Sequence, residues 1–317
     1  MEDPIVGTRR ERLEFFIGKI EVNCHACSGS IVLSCMMPSI YRKLLACSYN
    51  IVGSYEDARD LVQDAMEKFL SANRSGIENE DGYLVRTVVN LSINFKKRQD
   101  RFSGYGVWLP EPVSTETPES TLDRKLVARY SLLVLLEQLN AKERAVFILK
   151  EGFDYSHEEI AEVLEMSVEN SRQLLSRARK KVGAVTFCDS SVEPETGKGL
   201  EEQLEPYLAA LANADMESLE SLLVKDVRVM ADGGRNVKVV RDEVSGREEV
   251  ARLLQSVFAL FLDGKEHRFV AINHEPAICF FEGGTLYNCQ VFRFDEAGRI
   301  TNIHSIVDPA KLKNLSF

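Results

Sequence analysis

The side chains of this sequence best suited to chemistry form a polar, basic set near its middle. They are Arg172, Gln173, Ser176, Arg177 and Lys180. Guanidinium and amide groups make paired hydrogen bonds with the edges of DNA bases, and cationic side chains also bind phosphates. Such a set, presented on one face of a helix, is therefore suited to the major groove of DNA.

The flanking sequence predicts the two helices that would present this set. Ser156, followed three residues later by Glu159, is a capping box, so a helix begins there. A turn follows at Glu165 and Met166, and Ser167 caps the second helix. The first helix would bury Ile160, Ala161 and Leu164, and the second Ser171, Leu174, Leu175, Ala178 and Val182. This combination favours a helix-turn-helix over the alternative, a pair of packed helices with a solvated basic face.

Residues 136–182, which contain the run Leu139-Asn-Ala-Lys-Glu-Arg, resemble region 4 of the sigma-70 family. The sequence departs from the family at Glu165, where the turn usually has a glycine. The resemblance implies that region 4 contacts the minus-thirty-five promoter element through Asn170, Arg172, Gln173, Ser176, Arg177 and Lys180.

Residues 53–70 resemble the sigma region that docks on the clamp helices of the largest RNA polymerase subunit. The matching residues are Asp60, Gln63, Asp64 and Phe69. From the sequence pattern alone, they would be interpreted as the solvent-exposed face of an amphipathic helix. The resemblance implies core RNA polymerase as a partner.

Residues 83–98 are similar to the helix with which the family reads the minus-ten element. Asn90 and Asn94 lie four residues apart and share a helical face with Arg86 and Lys97. Amides suit base edges, and the adjacent cations suit phosphates. The implied minus-ten contacts are Arg86, Asn90, Asn94, Lys97 and Arg98. In the family the preceding loop, here residues 71–82, accepts a flipped base.

The linker narrows the resemblance to extracytoplasmic-function (ECF) sigma factors that carry a SnoaL-like C-terminal extension. Residues 105–112 resemble that subgroup's linker, residues 232–238 its glycine-rich motif and residues 308–312 its terminal motif. We expect the extension to pack on the linker and to set the spacing of the two DNA-binding domains. The residues expected to regulate in this way are Trp108, Leu109, Pro110, Asp232, Gly233, Gly234, Asp308 and Lys311.

The periodicity and the resemblance together predict a multidomain chain. The predicted domains are an N-terminal extension of unknown role (1–37), sigma region 2 (38–103), a proline-containing linker (104–121), sigma region 4 (122–186) and a SnoaL-like domain (200–317). The first two folded domains are all-α. In the last, helices at 200–213, 215–224 and 247–262 accompany strands at 227–230, 237–241, 267–272, 277–281, 286–294 and 300–306, which indicates an α+β fold with an antiparallel sheet.

Composition places the 317-residue chain, with 44% hydrophobic residues and a net charge of −10, among soluble multidomain proteins. We expect it in the cytoplasm, because it has neither a long apolar run nor a secretory leader. Its positive charge is concentrated in residues 96–101 and 177–181. It should therefore bind free DNA poorly until another component positions these faces.

Two rival functions remain open at this level. One is a one-component helix-turn-helix regulator, which would need no polymerase-docking helix. The other is an isomerase or cyclase fused to a DNA-binding module, because the resemblance implies a cone-shaped SnoaL-like domain, the fold of ketosteroid isomerase and polyketide cyclases. Its acid or base would be Asp232, His274 or His304 inside that apolar cone. We expect no enzymatic activity and no cofactor. Cys24, Cys27 and Cys35 form a weak metal-site pattern, no metal is expected, and the sequence identifies no ligand for the cone.

Overall fold

The computed structural model describes residues 38–72, 77–99, 107–115, 122–183, 187 and 198–315. The predicted N-terminal extension, 1–37, lies outside these residues, and so does the metal-site pattern of Cys24, Cys27 and Cys35. Part of the base-accepting loop, 73–76, and parts of the linker lie outside them as well.

The first domain is a helical bundle. Its described helices are α1 (Pro38–Val52), α2 (Tyr55–Ser71) and α3 (Glu80–Gln99). Helix α2 begins where the Ser54 hydroxyl accepts a hydrogen bond from the Asp57 amide at 3.3 Å. Its buried residues recur at three-four spacing, which gives α2 one apolar stripe against the other two helices. They are Ala58, Leu61, Val62, Ala65, Met66 and Phe69.

The helix-turn-helix is present as predicted. The second domain contains helices α4 (Tyr130–Leu136), α5 (Ala141–Phe147), α6 (His157–Val163) and α7 (Val168–Val182). Ser156 and Glu159 form the expected capping box, and the Ser167 hydroxyl accepts from the Asn170 amide. The five residues predicted for the inner face of α7 are all buried. Glu165 adopts a left-handed φ of 50°, a conformation that glycine reaches with less strain.

The third domain, residues 198–315, has an α+β fold, as predicted. Its helices are α8 (Lys198–Ala212), α9 (Met216–Ser221), α10 (Arg247–Val257, continued by a π-helical turn at Phe258–Leu262) and α11 (Pro309–Leu312). Its strands are β1 (Leu223–Asp232), β2 (Val244–Ser245), β3 (Glu266–Ile272), β4 (Glu275–Glu282), β5 (Thr285–Phe294) and β6 (Ile300–Ile306). The strands form one sheet in the order β2-β1-β6-β5-β4-β3.

Two predictions for this domain are wrong. The sheet is not wholly antiparallel, because β1 pairs with β6 in parallel. The β-branched run 237–241 is not a strand. After Gly233 and Gly234 the chain turns back, with the Val237 amide bonded to the Gly233 carbonyl at 3.0 Å. The run continues as a loop, and Val237, Val239 and Val240 cover a cavity in the domain.

Packing joins the three domains. One hydrophobic core runs through both helical domains, and a second lies between the sheet and helices α8–α10. A third core forms on the opposite face of the sheet, where Leu109 of the linker and Tyr130 of α4 pack on Val270 and Ile306. Among the described helices, none combines the length and the apolar character needed to cross a bilayer.

Candidate nucleic-acid interface and linker clamp

The outer face of α7 carries the polar, basic set singled out in the sequence. Asn170, Arg172, Gln173, Ser176, Arg177 and Lys180 are all exposed. Arg172 lies 3.7 Å from Glu158 and 4.0 Å from Glu169, both on the solvent side. Exposed ion pairs of this kind are weak, so the guanidinium can exchange them for a phosphate or a base.

The corresponding set on α3 is divided between open solvent and a domain contact. Asn94, Lys97 and Arg98 are exposed. Arg86, by contrast, forms an ion pair with Glu165 in the turn of the helix-turn-helix. Asn90 is half-buried and donates from Nδ2 to the Val163 carbonyl at 3.4 Å. Two of the five predicted minus-ten residues therefore face the second domain.

A buried ionic cluster lies where α3 meets α4 and α5. The Glu137 carboxylate accepts from Lys96 at 2.6 Å and also from Arg144, and both cations are almost fully buried. Burial alone would raise the pKa of Glu137, but the charges of Arg144 and Lys96 outweigh it and lower the pKa. In the sequence these three residues look like ordinary charges on helix surfaces. This buried cluster was therefore not predicted from the sequence.

The predicted polymerase-docking set on α2 is only partly accessible. Asp60 is exposed, and Gln63 and Asp64 are half-buried. Phe69 is only 4% exposed and packs against Tyr83 with ring centroids 5.9 Å apart. In this conformation Phe69 contributes to the bundle core and offers no contact surface to a partner.

The linker is held by a polar cluster of the third domain, which we call the linker clamp: Leu109, Asp232 and Lys311. The Asp232 carboxylate accepts from the Leu109 amide at 2.8 Å and from Lys311 at 2.6 Å. Lys311 also donates to the Leu109 carbonyl. Both backbone polar groups of Leu109 are thus bound by the third domain. Burial lowers the pKa of Lys311 even though Asp232 opposes the shift.

The two glycines of the predicted motif keep this cluster compact. The Gly234 amide donates to Asp232 at 2.8 Å, and its φ is 60°. A side chain at Gly234 would collide with the Asp308 carboxylate, and one at Gly233 would collide with the Val237 carbonyl. Trp108 lies beside the clamp, with the Lys311 ammonium 4.1 Å from its ring centre.

The linker also contacts the two helical domains directly. The Pro110 carbonyl accepts from the Tyr130 hydroxyl of α4 at 2.7 Å. Glu111, 3% exposed, accepts from the Tyr55 amide at the start of α2 at 2.7 Å and from Asn314 at 2.7 Å. A carboxylate at a helix N-terminus is stabilised by the unpaired amides and by the helix dipole. The sequence reading missed Glu111, although it directly follows the linker residues that were identified.

Asn273, at the β3–β4 turn, joins the third domain to the linker and to both helical domains. This residue was not identified from the sequence. Its side chain accepts from the Val113 amide at 3.0 Å. It donates to the Tyr49 hydroxyl of α1 at 3.0 Å and to the Ala128 carbonyl, which precedes α4, at 3.1 Å. Asn273 is fully buried with a φ of 47°. An isolated asparagine between two strands predicts only a turn, because its distant partners leave no local signal.

The three acid or histidine candidates of the isomerase reading lie away from the cavity of the third domain. Asp232 belongs to the linker clamp, and His274 is in the β3–β4 turn with its amide on Thr115 at 3.2 Å. His304 is buried on the linker side of the sheet, 5.6 Å from Tyr130 between ring centroids. Among the described residues, the cavity lining contains none of the three.

Both helical domains match known protein families. The family described as "Sigma-70 region 2" matches residues 38–102, and "Sigma-70, region 4" matches residues 129–182. The ECF RNA polymerase sigma factor SigJ of Mycobacterium tuberculosis is 31% identical over 222 residues, which is 68% of this chain and 70% of SigJ. A probable ECF sigma factor of the same organism, SigI, is 27% identical over 280 residues, 86% of this chain and 92% of SigI.

The crystal structure of M. tuberculosis SigJ has the same fold. It superposes with a TM-score of 0.68 at 25% identity, and the match covers 87% of this chain and 96% of the SigJ chain. The match therefore extends beyond the two helical regions into the α+β domain. On these grounds the chain belongs to the ECF RNA polymerase sigma factors, the subunits that direct core polymerase to promoters.

Proposed function

We propose that this sigma factor docks on core polymerase through α2, reads the minus-ten element with α3 and reads the minus-thirty-five element with α7. We further propose that its C-terminal domain controls the spacing of the two readers and that the chain has no catalysis of its own. The observation that carries the proposal is that α3 and α7 each present exposed amide and cationic side chains, and that the two helices lie in two separately matched sigma regions.

The arrangement of these faces corresponds to a closed state. The two promoter elements are named for positions about 25 base pairs apart, which at 3.4 Å per pair is roughly 85 Å of DNA. Here Arg86 of the minus-ten reader contacts Glu165 of the minus-thirty-five reader. Helices α3 and α7 therefore cannot bind their two promoter elements at the same time while this contact persists. Promoter binding therefore requires the two helical domains to separate.

The linker clamp and Asn273 support a regulatory role for the C-terminal domain. Through them this domain binds the linker, α1 and the segment preceding α4 at the same time. Its release would free the linker, and its docking favours the closed state. The net charge of −10 also disfavours binding of the isolated chain to DNA, so we expect core polymerase to position the two cationic faces on the promoter.

Run-off transcription with core polymerase and genomic promoter fragments tests the proposal. We expect transcripts that depend on the added protein. Asn94→Ala on α3 and Arg177→Ala on α7 should each reduce them about tenfold, because a good base contact contributes roughly 1 to 3 kcal/mol. Arg252→Ala, on the exposed side of α10, is the matched control and should leave output unchanged.

Core-polymerase pull-down separates this function from that of a one-component regulator. Asp60→Ala should weaken capture of the polymerase, whereas a regulator would bind its DNA site alone and would ignore the polymerase. The proposal would be refuted if the protein bound DNA tightly and specifically without core polymerase and also failed to capture the polymerase.

A further inference from the structure

The C-terminal domain contains a cavity that the proposed promoter function does not use. It lies between the sheet and helix α10, beneath the loop 237–240, and has a volume of about 130 Å³. Its walls are mainly aliphatic and aromatic, with Val229, Leu254 and Ile303 among them. A cavity of this size is large enough for about one aromatic ring.

One polar atom in the cavity wall, the side-chain oxygen of Asn288, has no hydrogen-bond donor among the residues that the structure describes. Asn288 lies on β5, is 3% exposed and lines the cavity. Its Nδ2 donates to the Ser305 hydroxyl at 3.0 Å, while no donor among the described residues reaches its Oδ1. A buried carbonyl oxygen without a donor is costly, and native structures rarely leave one unpaired without a reason.

The side-chain oxygen of Gln290, also in the cavity wall, does have a hydrogen-bond donor. Gln290, two residues further along β5 and on the same face, has its Oε1 bonded to the Tyr207 hydroxyl at 3.2 Å. Of the two amide side chains in the wall, therefore, only Asn288 has an oxygen that no described residue reaches. The rim of the cavity includes the exposed Lys238 and the half-exposed Phe261, so a small molecule has a route from solvent.

We propose that this cavity is a binding site for a small, largely apolar molecule of about one ring that donates a single hydrogen bond to Asn288 Oδ1. Apolar walls select the body of the molecule, and the unpaired carbonyl selects a hydroxyl or N–H group. Among the described residues that line the cavity, Lys238 alone is charged, which favours a neutral or weakly acidic molecule over a cation.

Phenol and toluene form a matched pair of probes for the full-length chain, because they have nearly the same size and only phenol has a donor. Calorimetric titration should show both binding, with phenol roughly fivefold tighter, as expected for one added neutral hydrogen bond. Absence of binding by either probe, or equal binding of the two, would overturn the proposal.

Variants localise the binding. Asn288→Leu should weaken phenol to the level of toluene and leave toluene unchanged. Val257→Phe, which fills the cavity from α10, should reduce both by at least tenfold. Leu260→Ser is the control, because Leu260 is 74% exposed and lies outside the lining. Unchanged binding in Val257→Phe protein that retains the wild-type unfolding temperature would refute the site. No polymerase enters this experiment, so its outcome is independent of the proposed function.

Discussion

Arg86 of helix α3 pairs with Glu165, the residue whose left-handed backbone forms the turn of the helix-turn-helix. Arg86 lies in sigma region 2 and Glu165 in sigma region 4. The ion pair therefore holds Arg86, a predicted DNA contact, in a contact with protein. Both side chains are substantially exposed, and the pair is correspondingly weak. A weak, exposed pair is suited to the reversible closure proposed above.

Glu165→Gln should raise transcription at limiting protein up to about fivefold, since an exposed ion pair contributes less than about 1 kcal/mol. The gain should shrink as salt rises, because salt already screens the pair. Run-off transcription over a range of ionic strength measures both effects. Glu162→Gln, on the exposed side of α6, is the charge-matched control. An equal gain there would trace the effect to net charge and contradict the closure.

Lys311→Met should destabilise docking of the C-terminal domain by about 2 to 4 kcal/mol, because it leaves the buried Asp232 carboxylate without its counter-ion. Limited proteolysis of the linker should become faster, and the urea midpoint should fall. The double variant Asp232→Asn with Lys311→Met should recover part of the loss. Lys225→Met, at an exposed position of β1, should change neither measurement.

Asn273 allows its hydrogen bonds to be separated from its backbone strain. Asn273→Gly removes the side-chain bonds but suits the left-handed backbone, whereas Asn273→Ala removes the bonds and adds strain. Alanine should therefore cost about 1 kcal/mol more than glycine in the free energy of unfolding. Urea denaturation of the two proteins measures this difference. Equal stabilities would show that the turn relaxes and that strain at this residue is unimportant.

His304 should make stability sensitive to acid. Burial lowers its pKa to about 4, whereas an imidazole in the unfolded chain has a pKa of about 6.5. Between these values the unfolded chain binds more protons. The free energy of unfolding therefore falls as pH falls, by up to about 1.4 kcal/mol per pH unit, and this contribution is fully present above about pH 6.5.

His304→Leu should flatten the stability profile between about pH 4 and 6.5 relative to the wild type. Denaturant titrations at several pH values give the profile, and the difference between the two proteins removes the contribution of other groups. His267→Leu, at an exposed position of β3, is the control. A profile that stays as steep in His304→Leu would assign the acid sensitivity elsewhere.

Local rules explain which structural predictions were confirmed. The capping box of Ser156 and the buried stripe beginning at Ser171 each depend on residues within a single helix and its cap, and the structure has both. The β-branched run 237–241 was wrongly predicted to be a strand. Strand propensity reflects how well side chains pack against neighbouring strands, so it predicts a strand only where such neighbours exist. Here the run packs over a cavity and has no strand partner.

Contacts between distant segments set the limit for prediction of the site. Packing of the linker on the C-terminal domain was expected, but only because the family resemblance linked their motifs. The contact was not predicted to run through the backbone of Leu109, as it does here with Asp232 and Lys311. Tyr49 and Asn273 are 224 positions apart, and no spacing rule connects a tyrosine in a helix with an asparagine in a hairpin. The roles of the predicted DNA-contact and polymerase-contact residues remain predictions, since the structure fixes their positions and exposure alone.

The chain has a single tryptophan, and it lies at the junction of all three domains. Trp108 has the Lys96 ammonium from the end of α3 4.7 Å from its ring centre on one side and Lys311 of the C-terminal domain on another. Separation of the domains must change the surroundings of this indole. The protein therefore carries an intrinsic fluorophore where its domains meet, and the opening proposed for polymerase binding can be followed in real time without an attached dye.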